Sequence, residues 1–174
     1  MKILSRGGRA TVVAALATLL LAATGSMSQA SAATTYWTFK SRYNGHCLTG
    51  SASTTAVWTA PCTGGPSQQW YWYGTREVYG GESYRMLRNR HSGDCLMTDF
   101  ESGGGRNAVW QSSCANQTNT REWTNDTPEL LSPPYVNNSL RVSPASNAVY
   151  TNDPLFSHTN DIPYLTHTWS RSHT

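Results

Sequence analysis

Five landmarks recur in the same order three times along this chain. Asn44-Gly45-His46-Cys47-Leu48 returns as Ser92-Gly93-Asp94-Cys95-Leu96 and, more weakly, as Val136-Asn137-Asn138-Ser139-Leu140. Eight residues before Cys47, Cys95 and Ser139 stand Phe39, Leu87 and Leu131, all apolar. Ala56-Val57-Trp58 matches Ala108-Val109-Trp110 and Ala148-Val149-Tyr150, lying 9, 13 and 9 residues past the first marker. Four residues beyond each aromatic come Cys62, Cys114 and Pro154, and the units close on Trp70, Trp123 and Trp169. The units start 48 and 44 residues apart. Units of this size cannot bury a hydrophobic face alone, so the three are expected to share one core.

The third unit lacks both cysteines and has Ser139 and Pro154 in their places. Losing both together is what a disulfide inside the unit predicts, because a lone partner would be a free thiol. The expected pairs are therefore Cys47 with Cys62 and Cys95 with Cys114. The other two connectivities of four cysteines remain open on sequence. Each expected bridge closes a loop of under about twenty residues, worth roughly 3 kcal/mol on the loop-entropy account.

Residues 1–32 read as a secretory signal peptide. Lys2, Arg6 and Arg9 form a basic start, Thr11 to Ala23 is an apolar run, and Ala30-Ser31-Ala32 has the small-x-small pattern of a cleavage site. At about 1.5 Å per residue that run spans roughly 20 Å, short of the ~30 Å bilayer core. No membrane insertion is expected. Removing 32 of the 174 residues leaves 142, with ten Lys and Arg against ten Asp and Glu. The formal charge of +3 belongs to the leader. A neutral remainder with Lys40 as its one lysine has no electrostatic case for binding nucleic acid. An even cysteine count in an exported chain fits two disulfides. The expected product is extracellular.

Charged residues make up 13% and aromatics 11%, which excludes a disordered chain or a long coiled coil. Trp70-Tyr71-Trp72-Tyr73 suits a strand. Arg85-Met86-Leu87 and Leu140-Arg141-Val142 are short pieces between Gly, Asn, Ser and Pro clusters. Gly45, Gly93 and Asn137 hold equivalent places, and Gly and Asn best tolerate a positive φ, so a tight turn is expected there. No window beyond the leader has a helical period. The chain is read as all-β, with short strands.

Cys47-Leu48, Val57-Trp58, Pro61-Cys62 and Gln68-Gln69-Trp70 resemble the ricin B-chain-like (Q-x-W) β-trefoil lectin domain of secreted bacterial type. The resemblance covers about residues 36 to 171. It implies one β-trefoil domain over 33–174, with repeats near 36–82, 83–127 and 128–174 and twelve short strands. It also implies sugar binding without catalysis. The family's usual pocket has an Asp two residues after the first Cys, where this chain has Thr49, Met97 and Arg141. Its stacking aromatic lies two residues before the second Cys, where this chain has Ala60, Ser112 and Asn152. The Asn before Q-x-W is replaced by Ser67, Thr120 and Thr166, and the Gln survives only as Gln68, with Arg121 and His167 elsewhere. A non-standard or partly degenerate site is implied.

Trp58, Trp110 and Tyr150 lie two residues before the vacant platform positions, hence on the same strand face. They are candidate displaced platforms, each offering a flat face for the C–H side of a sugar. Gln68, Asp99, Asn107 and Asn152 are the candidate polar contacts. The alternative is that these aromatics only cover the flank of the barrel. The closing Trp residues and Val57, Val109 and Val149 are expected in the core, and Trp37 and Trp72 in the core or at its edge.

Five histidines with no i, i+4 pair give no metal site, and no cofactor is expected. No G-x-S-x-G elbow or identifiable carboxylate pair marks a hydrolase. Asn116, Asn125 and Asn137 begin Asn-x-Ser/Thr sequons. The expected protein is a non-enzymatic monomer whose partner is a glycan or polysaccharide, acting through weak repeated sites. The rival is a protein-binding trefoil such as a protease inhibitor, with Arg76 or Arg106 as anchor. Gly103-Gly104-Gly105 before Arg106 would make that loop a flexible and poor inhibitor.

Overall fold

The computed structural model describes residues 33–99, 106–115, 122–129, 138–153 and 161–174. The leader, the Gly103-Gly104-Gly105 loop, Thr120, Arg121, Leu131, Pro154 and the sequons at Asn116 and Asn137 lie outside the described residues. Residues 33–174 form one compact unit.

Eleven strands are described. They are β1 (Trp37–Ser41), β2 (Cys47–Gly50), β3 (Val57–Ala60), β4 (Trp70–Tyr79), β5 (Glu82–Asn89), β6 (Cys95–Thr98), β7 (Val109–Ser112), β8 (Glu122–Trp123), β9 (Ser139–Val142), β10 (Val149–Asn152) and β11 (Trp169–His173). All pairings between them are antiparallel. The wall of a barrel runs β11-β1-β4-β5-β8. The pairing of β1 with β11, from Trp37 opposite His173 to Ser41 opposite Trp169, joins the two ends of the folded chain. Three four-residue hairpins, β2–β3, β6–β7 and β9–β10, complete the structure. This is a β-trefoil.

The landmarks of the repeat are its load points. Leu48, Leu96 and Leu140 are fully buried, with Trp70, Trp123 and Trp169 packed in the same core. In every unit the indole N–H donates to the carbonyl of that leucine: Trp70 to Leu48 (3.1 Å), Trp123 to Leu96 (2.9 Å) and Trp169 to Leu140 (2.9 Å). The bond satisfies a buried indole donor and ties each hairpin to the barrel wall. Phe39, Leu87, Val57 and Val149 join the core, while Val109, Trp37 and Trp72 are partly buried against it.

Both disulfides form within units, Cys47–Cys62 and Cys95–Cys114, which settles the connectivity. Gly45 and Gly93 have φ of 72° and 77°, and each N–H bonds back to the carbonyl four residues earlier, on Ser41 and Asn89. The two tight turns are therefore equivalent.

The three hairpins also bind one another. Thr59 N–H donates to the Asn147 carbonyl (2.8 Å), Gln111 N–H to Thr55 (2.8 Å) and Thr151 N–H to Asn107 (3.2 Å). The three donors are equivalent positions, as are the three acceptors. The bonds run from first unit to third, third to second and second to first, closing a ring.

Candidate functional site

Cross-strand register sets which residues face a ligand together. In the first hairpin Thr49 lies opposite Trp58 and Cys47 opposite Ala60. In the second, Met97 faces Trp110 and Cys95 faces Ser112. In the third, Arg141 faces Tyr150 and Ser139 faces Asn152. Residues two apart share a face, so each hairpin has one face carrying a half-buried aromatic beside a small or polar neighbour. Trp58, Trp110 and Tyr150 thus occupy three equivalent places.

The expected polar contacts are divided among several jobs. Gln68 is buried in a 3-10 turn, Pro66–Gln68, and its amide is fully engaged. Its Nε2 donates to Thr49 Oγ1 (3.1 Å) and the Pro61 carbonyl (3.0 Å), and its Oε1 accepts from Thr63 N–H (2.7 Å) and Thr63 Oγ1 (3.2 Å). Gln68 therefore holds the loop against the first hairpin. Asn107 is buried at the junction of the second and third units, where its Nδ2 donates to Asn138 Oδ1 (3.3 Å) and its backbone pairs with Thr151. Asp99 is half-buried just past β6, its N–H donating to the Ala108 carbonyl (3.2 Å). Asn152 is buried at the end of Tyr150's own strand, β10, and its Oδ1 accepts from Arg141 Nε (2.8 Å).

The third unit is chemically unlike the other two. Arg141 is only 2% exposed, with Nη1 donating to the Val142 carbonyl (3.3 Å). Its guanidinium carbon lies 5.3 Å from the centre of the Tyr150 ring, and that of exposed Arg106 lies 5.6 Å from the same ring. Burial, then the Arg106 charge, holds the Arg141 pKa below its ordinary value. Ser139, in the place of the first cysteine, bonds His167 Nδ1 at 2.5 Å. His167 occupies the Gln68 position and is fully buried in a second 3-10 turn, Tyr164–His167.

Residues 26–99 match the family described as ricin-type beta-trefoil lectin domain-like. No curated protein matches the chain in sequence. Among solved structures the chain is similar to ThreeFoil, a designed 3-fold symmetric protein, at 22% identity over 78% of this chain and 96% of that one, with a TM-score of 0.58. It is similar to the Macrolepiota procera ricin B-like lectin in complex with lactose, at 18% identity over 83% and 98%, with a TM-score of 0.53. A salivary protein from Culex quiquefasciatus of the Cysteine and Tryptophan-Rich family has 17% identity over 83% and 97%, with a TM-score of 0.54. The fold is the β-trefoil.

Within this trefoil, Thr49, Met97 and Arg141, two residues past the first landmark of each unit, are all buried. Two surface clefts, of about 370 and 380 Å³, lie away from all seven expected site residues. The smaller is lined by Tyr73, Arg88, Ser92, Asp94 and Ser113, among others. There the Arg88 guanidinium carbon stands 4.8 Å from the centre of the exposed Tyr73 ring. Sequence reasoning took Tyr73 only as strand. The sequence clue was the alternation of β4, which turns Tyr71 and Tyr73 to the face opposite Trp70 and Trp72. Among the described residues no group of His, Cys, Asp and Glu could hold a metal ion, and no helix is long and apolar enough to cross a membrane.

Proposed function

We propose that this protein is a secreted, non-catalytic carbohydrate-binding module with non-standard sugar sites, made by cleaving residues 1–32 from a single domain over 33–174. The observation that carries the proposal is the threefold equivalence of Trp58, Trp110 and Tyr150, each half-buried across from the position where the family's sugar-binding Asp would stand. The similar Macrolepiota procera lectin, solved with lactose, supports a sugar as the ligand class. Of the expected polar contacts, half-buried Asp99 is the one open to a ligand, while Gln68 and Asn107 hold the loops that frame the faces and buried Asn152 holds Arg141.

Glycan-array and calorimetric binding of residues 33–174 test this directly. Loss of one stacking ring removes about 1 kcal/mol, or roughly a fivefold change in Kd per site. Trp58→Ala and Trp110→Ala are each expected to weaken glycan binding by at least that much. Binding that survives both substitutions unchanged would reject the displaced platforms.

A further inference from the structure

We infer that the third hairpin takes an acidic sugar, one bearing a carboxylate such as a uronic or sialic acid, on Tyr150, Arg106 and Arg141. The inference rests on the carbohydrate-binding reading and narrows it to a ligand class at one site. The first two hairpins place neutral Thr49 and Met97 opposite their aromatic, whereas the third places Arg141 there. Among the described residues, the Arg141 guanidinium donates to neutral oxygens on Asn152 and Val142, which engage two of its five N–H groups. Exposed Arg106 adds a second cation beside the same ring. Two like charges at one aromatic repel each other, and an anion seated between them and the solvent relieves that repulsion.

The parts have separate jobs. Tyr150 is half-buried with both guanidiniums over its ring, and a pyranose would pack against the part of the ring left exposed beside Arg106. Arg106, being exposed, reaches a ligand carboxylate with its planar fork, which suits bidentate pairing. Arg141, buried below, contributes charge and holds Asn152, so it is a positioning residue. A neutral sugar would bring neither cation a negative charge.

The test is calorimetric titration of residues 33–174 with galacturonic acid, its neutral methyl ester and galactose, at low and moderate salt. N-acetylneuraminic acid and its methyl ester form a second pair, and inorganic sulfate serves as competitor. The acid of either pair is expected to bind at least fivefold more tightly than its ester, with the preference shrinking as salt rises. Arg106→Ala should abolish the preference, and Arg90→Ala, a charge-matched change at an exposed arginine on Tyr36, should preserve it. Arg106 is exposed, so its variant avoids the folding risk of changing Arg141. Acid and ester binding alike, a preference untouched by Arg106→Ala, or sulfate competing as well as the sugar acid would each overturn the inference. Neutral sugars bound through Trp58 with no acid preference would leave the broader reading standing and reject only this one. Binding of no sugar, acidic or neutral, would reject both.

Discussion

At the residue scale, the third unit shows how a polar pair stands in for part of a covalent tie. Ser139 holds the place of Cys47 and Cys95, and its hydroxyl bonds His167 Nδ1 at 2.5 Å. His167 stands where the first unit has Gln68, which also reaches back to its own hairpin. Either form of the ring can bond Ser139, but a charged imidazole would be buried beside Arg141 and is disfavoured there. Burial first, and the nearby Arg141 charge second, lower the His167 pKa from 6.5 to about 4. The unfolded chain therefore takes up this proton more readily than the folded one. Stability from the pair is complete above pH 6.5, falls as pH drops towards 4, and is lost below that. The full shift corresponds to about 3 kcal/mol. Thermal unfolding followed from pH 7.5 to 4 should show the wild type losing more Tm than His167→Gln, which copies the first unit's residue. Parallel pH profiles for the two proteins would contradict the assignment.

At the element scale, each hairpin is fixed to the barrel by one indole. Trp123 and the Leu96 carbonyl lie 27 residues apart, yet both are fully buried and bonded at 2.9 Å. This explains why C-L and the closing Trp were legible as landmarks: each member needs the other, at every repeat. Trp123→Phe keeps an aromatic ring but leaves the Leu96 carbonyl buried without its donor. The expected cost is about 1–3 kcal/mol, read as a lower denaturation midpoint with an unchanged slope. A loss of under half a kcal/mol would mean that packing alone holds the hairpin. Other features were not legible. The engaged amide of Gln68 depends on Thr63 and Pro61 folding around it, and sequence spacing does not reveal which way a side chain turns. Asn107 was expected at a sugar and is found at a junction between units, because its partners Asn138 and Thr151 belong to the next repeat. The Ser139–His167 bond joins two residues 28 positions apart, each of which departs from the residue type its place in the repeat leads one to expect.

At the scale of the whole molecule, the repeats are not independent modules. Their hairpins close a ring of three backbone hydrogen bonds, Thr59 to Asn147, Gln111 to Thr55 and Thr151 to Asn107. Backbone groups made these contacts, so no side-chain pattern announced them, although the shared core was legible from the repeat itself. The ring and the β1–β11 pairing distribute each unit's support over the other two. The third unit lacks a disulfide, so the bridges of the first two cannot by themselves stabilise it. They reach it only through these shared contacts. Cooperative unfolding follows: one transition, coincident by tryptophan fluorescence and far-ultraviolet circular dichroism. A chain ending at Thr168 makes the sharper test. It lacks β11, and with it Trp169 and all five residues that pair β11 with β1. If support is shared, this truncation abolishes the near-ultraviolet dichroism of the whole molecule, including the aromatics of the first and second units. A truncated chain that kept the signal of two intact units would show that the repeats stand alone.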